Sequence, residues 1–180
     1  MSKILVHTKT ETPLGEMDIL ATERGICLLE FDVRTDLDEE IELLKKNSGA
    51  VLQIGENRHT LELKRQLKEY FDGKREVFSV PTVLTGTEFQ NEVWTELKKI
   101  PFGKTLSYKE LTDKLGDPKA IRAVAKANGA NKMAIIIPCH RVIGSDGKLT
   151  GYAGGIDRKR FLLNLERTKN APVDLFNNPA

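Results

Sequence analysis

Gly116-Asp117-Pro118 is the tightest constraint in this 180-residue chain. Glycine tolerates the left-handed turn that closes a helix, and an aspartate side chain caps the N–H groups of the next one. Proline fits the first helical position, where its missing N–H costs nothing. The tripeptide therefore predicts a junction between two short helices. Upstream, Ser107 and Glu110 have capping-box spacing and open the first of them. Downstream, the second is expected over Pro118–Asn128, with Gly129 as its stop. Two short helices joined in this way have helix-turn-helix proportions, with Pro118–Asn128 as the recognition helix.

A further capping box, Thr87 with Gln90, opens a helix whose apolar stripe is Phe89, Val93, Trp94 and Leu97. The first half of the chain reads differently. Strands are expected over Lys3–Thr8, Glu16–Thr22 and Gly25–Val33, then helices over Asp36–Lys46 and Leu61–Phe71. Pro81 to Gly86 punctuates the change of pattern as a linker. The fold class is thus an α/β N-terminal domain, a small β-sheet with helices, over residues 1–84. A mainly α, winged helix-turn-helix domain follows over 85–170, with a tail over 171–180.

Charge separates the halves as well. Residues 1–80 carry 12 Lys/Arg against 16 Asp/Glu, a net of −4, and residues 81–180 carry 16 against 10, a net of +6. Between Asp117 and Asp146 lie Lys119, Arg122, Lys126, Lys132 and Arg141 with no acid among them. A basic half beside an acidic one suits a polyanionic partner, and Lys119, Arg122 and Lys126 lie where a recognition helix reaches phosphates or a base stack. Ala120, Ala123 and Ala127 give that helix a smooth face. The longest apolar run, Met133 to Ile137, is far too short to span a bilayer, and residues 1–6 lack a signal-peptide pattern. A cytoplasmic protein is expected, with Cys27 and Cys139 as free thiols.

The chemistry concentrates at Ile135-Ile-Ile-Pro-Cys-His-Arg-Val-Ile143. An apolar strand is expected to deliver Cys139 directly after Pro138. A thiol attacks as thiolate, and the neighbouring His140 and Arg141 are expected to lower its pKa. Alternation along a strand turns Cys139 and His140 to opposite faces, so a bend or a bridging water is needed between them. Ser145 to Lys148 reads as a turn, and Gly151-Tyr-Ala-Gly-Gly155 as a loop that lets backbone approach a flat ligand. Asp157 is expected to cap a last helix, and its Glu166 to orient His140. On residue chemistry alone, a cysteine hydrolase built on Cys139, His140 and Glu166 competes with a transferase.

In order and spacing, Phe89-Gln90, Val93-Trp94, Ile100 to Thr105, Ser107-Tyr108, Pro118, Arg122-Ala-Val124, Asn131, Ile137-Pro-Cys-His-Arg-Val142, Gly151-Tyr152, Gly154-Gly155 and Leu162-Leu163 through Glu166 resemble the O6-alkylguanine-DNA alkyltransferases. The resemblance covers Thr87 to Arg167, and the first half matches only in size and order of elements. It implies a ribonuclease H-like first domain and stoichiometric repair, in which the alkyl group of O6-alkylguanine passes to Cys139 for good. Whether O4-alkylthymine is a minor substrate is left open.

By the resemblance, His140 acts on the thiol through a water, Glu166 holds His140, and Asn131 orders the loop around the thiol. Tyr108 helps turn out the nucleotide and protonates the departing guanine, while Arg122 fills the vacated stack. Ala123, Lys119, Lys126 and Ser145 face the DNA, and Tyr152 and Ala153 line the guanine pocket. The implied partner is double-stranded DNA carrying O6-alkylguanine, met by a monomer in the cytoplasm, or the nucleus in a eukaryote. No cofactor is implied. Cys27, His7 and His59 form no compact ligand set, so no zinc is expected. Lys132, Ala134, Lys109 and Asp117 depart from side chains common in the family.

Overall fold

In the computed structural model, which describes residues 3–32 and 37–168, the first half forms a four-stranded sheet. Strands β1 (Ile4–Thr12), β2 (Gly15–Thr22) and β3 (Gly25–Phe31) make an antiparallel meander. Helix α1 (Leu37–Ser48) then leads to β4 (Val51–Ile54), which pairs parallel to β1 and gives the order β3-β2-β1-β4. Helix α2 (Arg58–Phe71) follows. β1 runs past the expected Thr8 because the Thr12 hydroxyl closes the hairpin, donating to Gly15 O at 2.7 Å and accepting from Leu14 N. β4 was not foreseen: Val51 and Ile54 are exposed, so the strand has no inward-outward alternation to read. α2 starts before the expected Leu61 because Asn57 and Thr60 form a capping box. Val33, Asp36 and the tail from residue 169 lie outside the described residues.

Every residue of β3 is buried. Leu20 pairs with Leu28 but Ala21 with Ile26, so Cys27 is the extra residue of a β-bulge. The bulge sends Cys27 and Leu28 into one cluster with Leu5, Leu20, Ile41 and Leu44 under α1. Ile26, Leu29 and Phe31 enter the main core with Leu63, Leu67 and Tyr70 of α2. A strand buried on both faces needs apolar residues throughout, which makes Glu30, at 3% exposure, conspicuous.

The second half comprises α3 (Glu88–Leu97), β5 (Leu106–Ser107), α4 (Tyr108–Lys114), α5 (Ile121–Gly129), β6 (Val142–Ile143) and α6 (Ile156–Arg167), with β5 and β6 paired in parallel. Both expected capping boxes form, Thr87 with Gln90 and Ser107 with Glu110. At the α4–α5 junction Gly116 has φ +84°, and Asp117 Oδ1 accepts from Lys119 N at 3.0 Å. Two local expectations need correction. Pro118–Ala120 is a separate 3-10 turn, so the recognition helix proper begins at Ile121. Gly155, not Asp157, occupies the N-cap of α6, and Asp157 lies in its first turn, where a carboxylate suits the helix dipole.

The two halves share one core. It runs from Met17 and Ile19 through Tyr70 to Trp94, Val124, Ile137 and Leu162. The expected linker is itself pinned: Ile26 N donates to Pro81 O at 2.9 Å and Val83 N to Ile26 O at 2.7 Å. Further along the same edge, Leu29 N donates to Lys132 O at 2.9 Å and Ala134 N to Leu29 O at 2.8 Å. The sheet edge therefore sets the height of the segment that leads to Cys139. Among the described residues, no helix is long and apolar enough to cross a membrane.

Candidate active site

Cys139 is not delivered by a strand. Ala134 O accepts from Ile136 N at 2.8 Å around Ile135 at φ +70°, a γ-turn. Ile137 O then accepts from Cys139 N at 2.8 Å around Pro138 at φ −80°, ψ 59°, an inverse γ-turn. Cys139–Arg141 is a 3-10 turn. The run of isoleucines imitates a strand because it is apolar and β-branched, but its side chains are buried by the core rather than by strand pairing. A β-branched residue at positive φ costs roughly 1–3 kcal/mol, and the surrounding packing must hold it there. The tight turns supply the bend expected between Cys139 and His140.

Below the thiol lies a buried ionic centre on Glu166. Its Oε1 accepts from His140 Nε2 at 2.7 Å, the Tyr70 hydroxyl at 2.8 Å and Arg141 Nη2 at 3.0 Å. Its Oε2 accepts from Arg141 Nε at 2.8 Å and Gly103 N at 3.1 Å. A side chain at Gly103 would meet Glu166 O at 2.9 Å from a φ of +70°, so only glycine fits. Burial pushes the Glu166 carboxyl up, but the hydrogen bonds from His140 and Arg141, with the charge of Arg141, outweigh it and hold the pKa at about 2. Burial lowers the pKa of His140, against the opposing pull of Glu166 and with Arg141 adding to the fall. A neutral imidazole bonded to a carboxylate through Nε2–H keeps Nδ1 as its acceptor, and among the described residues Nδ1 has no partner.

Asn131 stands directly on the sulfur. Its Nδ2 donates to Cys139 Sγ at 3.1 Å and to Ile137 O at 2.9 Å, while its Oδ1 accepts from Met133 N at 3.0 Å. One side chain thus braces the reactive turn and points a donor at the thiol. The expected low thiol pKa is corrected. Burial drives it up to about 11; Asn131 opposes this and Glu30 adds to it. Sequence proximity misled here, because His140 is neutral and Arg141 is spent on Glu166 and on Ile100 O at 2.6 Å. The resting sulfur is a thiol.

Lys159 was missed entirely by sequence reasoning. It is fully buried, and its Nζ donates to Val142 O at 2.6 Å and Thr150 O at 2.7 Å, with the pKa lowered by burial to about 8. It ties β6 to the loop that closes the site. Arg158 fastens the same loop to the first half, donating to Gly154 O at 2.9 Å and Leu14 O at 2.8 Å while stacking on Phe31. Tyr70 lies in the helix expected over Leu61–Phe71, where nothing in the sequence gives it a part in the site, although its hydroxyl reaches Glu166. No local pattern signals a partner that far along the chain.

Tyr152, Ala153, Gly154, Asn128 and Asn131 line a cleft with Cys139. It is closed down to a cavity of about 10 Å³, near what a single water requires. That space is far smaller than a purine. Tyr108 is half-buried beside it, accepting from Asn128 Nδ2 at 3.3 Å, and burial raises its pKa. Lys119, Arg122, Ala123, Lys126 and Ser145 are exposed. The expected alanine face is only partly outward: Ala127 is packed at 3% exposure, and its carbonyl accepts from Trp94 Nε1 at 2.9 Å. Ala123 and Ala125 are the small exposed residues flanking Arg122.

Fold and site together define a class: a helix-turn-helix protein with a buried cysteine, backed by a histidine–glutamate pair, beside an exposed basic helix. The chain belongs to the 6-O-methylguanine DNA methyltransferase family. Residues 5–84 match its ribonuclease-like domain and residues 88–168 its DNA binding domain. The chain is 45% identical to a methylated-DNA–protein-cysteine methyltransferase of Methanosarcina barkeri, over 87% of this chain and 93% of that one. It is 43% identical to the constitutive enzyme of that name from Bacillus subtilis, over 89% and 94% of the two chains. A crystal structure of Mycobacterium tuberculosis OGT in complex with DNA superposes with a TM-score of 0.81 at 40% identity, covering 94% of this chain and 97% of that one.

Proposed function

We propose that this protein repairs DNA by moving the alkyl group of O6-alkylguanine onto Cys139, once per molecule. The observation that carries the reading is Cys139 in a cleft with Asn131 donating to its sulfur, directly followed in the chain by a His140 that is bonded to Glu166. Duplex DNA docks on the exposed helix pair, with Lys119, Lys126 and Ser145 on phosphates and Ala123 against the groove wall. The target nucleotide turns out of the stack, since a buried thiol has no route to an atom inside a paired duplex. Arg122 fills the gap, and Tyr108 assists the rotation. The base then rests against Tyr152 and Ala153.

The proton steps follow from the charge states. A water carries the Cys139 proton to neutral Nδ1 of His140, and Glu166 stabilises the imidazolium that forms. The thiolate attacks the alkyl carbon, a C–S bond forms, and the C–O6 bond breaks. Tyr108, whose raised pKa keeps its proton at neutral pH, gives that proton to the departing guanine. The product is a thioether with no polarised carbonyl and no good leaving group, so water has nothing to attack; an acyl-enzyme, by contrast, is hydrolysed. This separates the transferase from a cysteine hydrolase using the same three residues. The protein acts as a monomer in the cytoplasm, without a cofactor.

The test is peptide mapping after incubation with an O6-methylguanine duplex, alongside the Cys139→Ala variant. The methyl group is expected on Cys139 alone, with the variant inert yet still binding duplex. A methyl group on Cys27, or transfer by the variant, contradicts the assignment.

A further inference from the structure

Gly151 to Gly154 form one wall of the Cys139 cleft and lie outside the helices and strands. Two neighbouring side chains of α6 hold this segment down. At its start, Lys159 Nζ donates to Thr150 O at 2.7 Å and to Val142 O at 2.6 Å, which joins the segment to β6 in its own half. At its end, Arg158 Nη1 donates to Gly154 O at 2.9 Å. Arg158 is anchored in the first half. Its Nε donates to Leu14 O, in the β1–β2 turn, at 2.8 Å, and its guanidinium lies 4.7 Å from the centre of the Phe31 ring in β3. Gly154 is pressed against that same ring, since a side-chain carbon there would lie 2.9 Å from it.

The two ties differ in what their release costs. Lys159 is fully buried, so pulling the segment away from it strands an ammonium out of reach of water. Arg158 is half-buried, and water can replace both its bonds and those of the carbonyls it leaves. The other walls of the cleft are braced. Ala134 N is bonded to Leu29 O at 2.8 Å, and Asn131 is bonded to Met133, Ile137 and Cys139. Asn128 sits in α5, next to the Ala127 carbonyl that Trp94 holds at 2.9 Å. The closed position is also incompletely satisfied. Among the described residues, the Tyr152 hydroxyl oxygen and Asn128 Oδ1 are buried at this cleft without a hydrogen-bond partner, a cost that a polar ring entering the cleft relieves.

We propose that Arg158 is a positioning residue, the latch by which the first half holds the Gly151–Gly155 segment shut over Cys139, and that the base enters when this latch releases while the Lys159 tie stays fastened. The proposal rests on the alkyl-transfer reading of Cys139. A cavity of about 10 Å³ has no room for a purine, so the base binds only the unlatched form. Apparent affinity is then reduced by the fraction of molecules that are unlatched, and a change that favours the unlatched form restores it. Losing the charged hydrogen bond to Gly154 O shifts that balance by about tenfold. The groups around the sulfur are untouched by the change, so the step after binding keeps its rate.

The experiment follows methyl transfer to Cys139 of the full-length protein from free O6-methylguanine, which enters the cleft without docking a duplex. Single-turnover rates over a range of base concentrations separate the half-saturating concentration from the maximal rate. Arg158→Met keeps the length of the side chain and removes its donors. Its half-saturating concentration should fall by about tenfold, with a matching rise in the rate constant at low concentration and little change in the maximal rate. The burst amplitude counts folded protein, so loss of folded material leaves these constants alone. Should Arg158→Met fail to fold, Arg158→Lys, which keeps the cation over Phe31, carries the same test with a fall of about threefold. A low-concentration rate constant that does not exceed that of the wild type overturns the proposal and leaves Arg158 a structural residue. Absence of methyl transfer by the wild type from the methylated duplex brings down the alkyl-transfer reading instead, and this proposal with it.

Discussion

The hydroxyl of Tyr70, on α2 of the first half, donates to Glu166 Oε1 of the second half at 2.8 Å, both groups buried. That same oxygen accepts from His140, the residue next to the reactive cysteine. The first half thus reaches the carboxylate that holds His140 through a single hydrogen bond, in addition to the apolar core the halves share.

Removing the hydroxyl tests this link. Tyr70→Phe deletes a bond to a charged acceptor, worth about 1.5–3 kcal/mol, without emptying the core. The melting temperature should fall, and transfer from duplex should slow while duplex binding holds. Glu166→Gln should do more harm, roughly 3–5 kcal/mol, because it strips Arg141 of its buried partner. The acid limb carries the sign. The folded pKa of Glu166, about 2, lies below its ordinary 4.5. Its contribution is therefore present in full above pH 4.5 and is lost as the pH falls toward 2. Melting curves of wild type and Gln variant should converge across that window; curves that stay parallel would remove Glu166 from the ion-pair account.

With its pKa raised to about 11, the Cys139 thiol is protonated at neutral pH. Alkylation by iodoacetamide, which brings no base of its own, should be slow at pH 7 and climb about tenfold per pH unit until the thiol ionises. Transfer from duplex should be much flatter over the same range, because neutral His140 takes the proton within the complex. Rapid iodoacetamide labelling at pH 7 would mean a thiolate at rest and a different electrostatic centre.

Arg122 is exposed on α5 and has no place in the ionic centre. Arg122→Ala should slow repair of duplex DNA strongly while leaving reaction with the free O6-alkylated base nearly unchanged. Only the duplex demands unstacking, which costs a few kcal/mol. Equal slowing of both substrates would give Arg122 a chemical or structural role instead.

Much of this was legible before any coordinates. The capping boxes at Thr87 and Ser107 are local rules, satisfied by neighbours in sequence, and form as read; at Gly116-Asp117-Pro118 the turn and the Asp117 cap form too, but they open a 3-10 turn rather than the recognition helix itself. The stretch leading to Cys139 was expected as a strand and has a different backbone. Three isoleucines carry a strand's composition, whereas the γ-turns at Ile135 and Pro138 are imposed by Asn131 and by the β3 edge. The thiol pKa was misread for a related reason: a cation next in sequence says nothing of whom it pairs with in space. Tyr70 and Lys159 were invisible as site residues because their partners, Glu166 for the one and Val142 and Thr150 for the other, are brought near only by tertiary packing.

The central claim is a permanent, single transfer to Cys139, and stoichiometry tests it most directly. Whole-protein mass should be followed while a fixed amount of protein is titrated with excess O6-methylguanine duplex. The account predicts a burst of repaired base that stops at one equivalent, matched by one added methyl per protein molecule. The methylated form should also melt lower, by roughly 1–3 kcal/mol of lost stability, since a thioether overfills a site already closed around the sulfur. Repaired base accumulating well beyond one equivalent, with the protein mass unchanged, would contradict the mechanism outright.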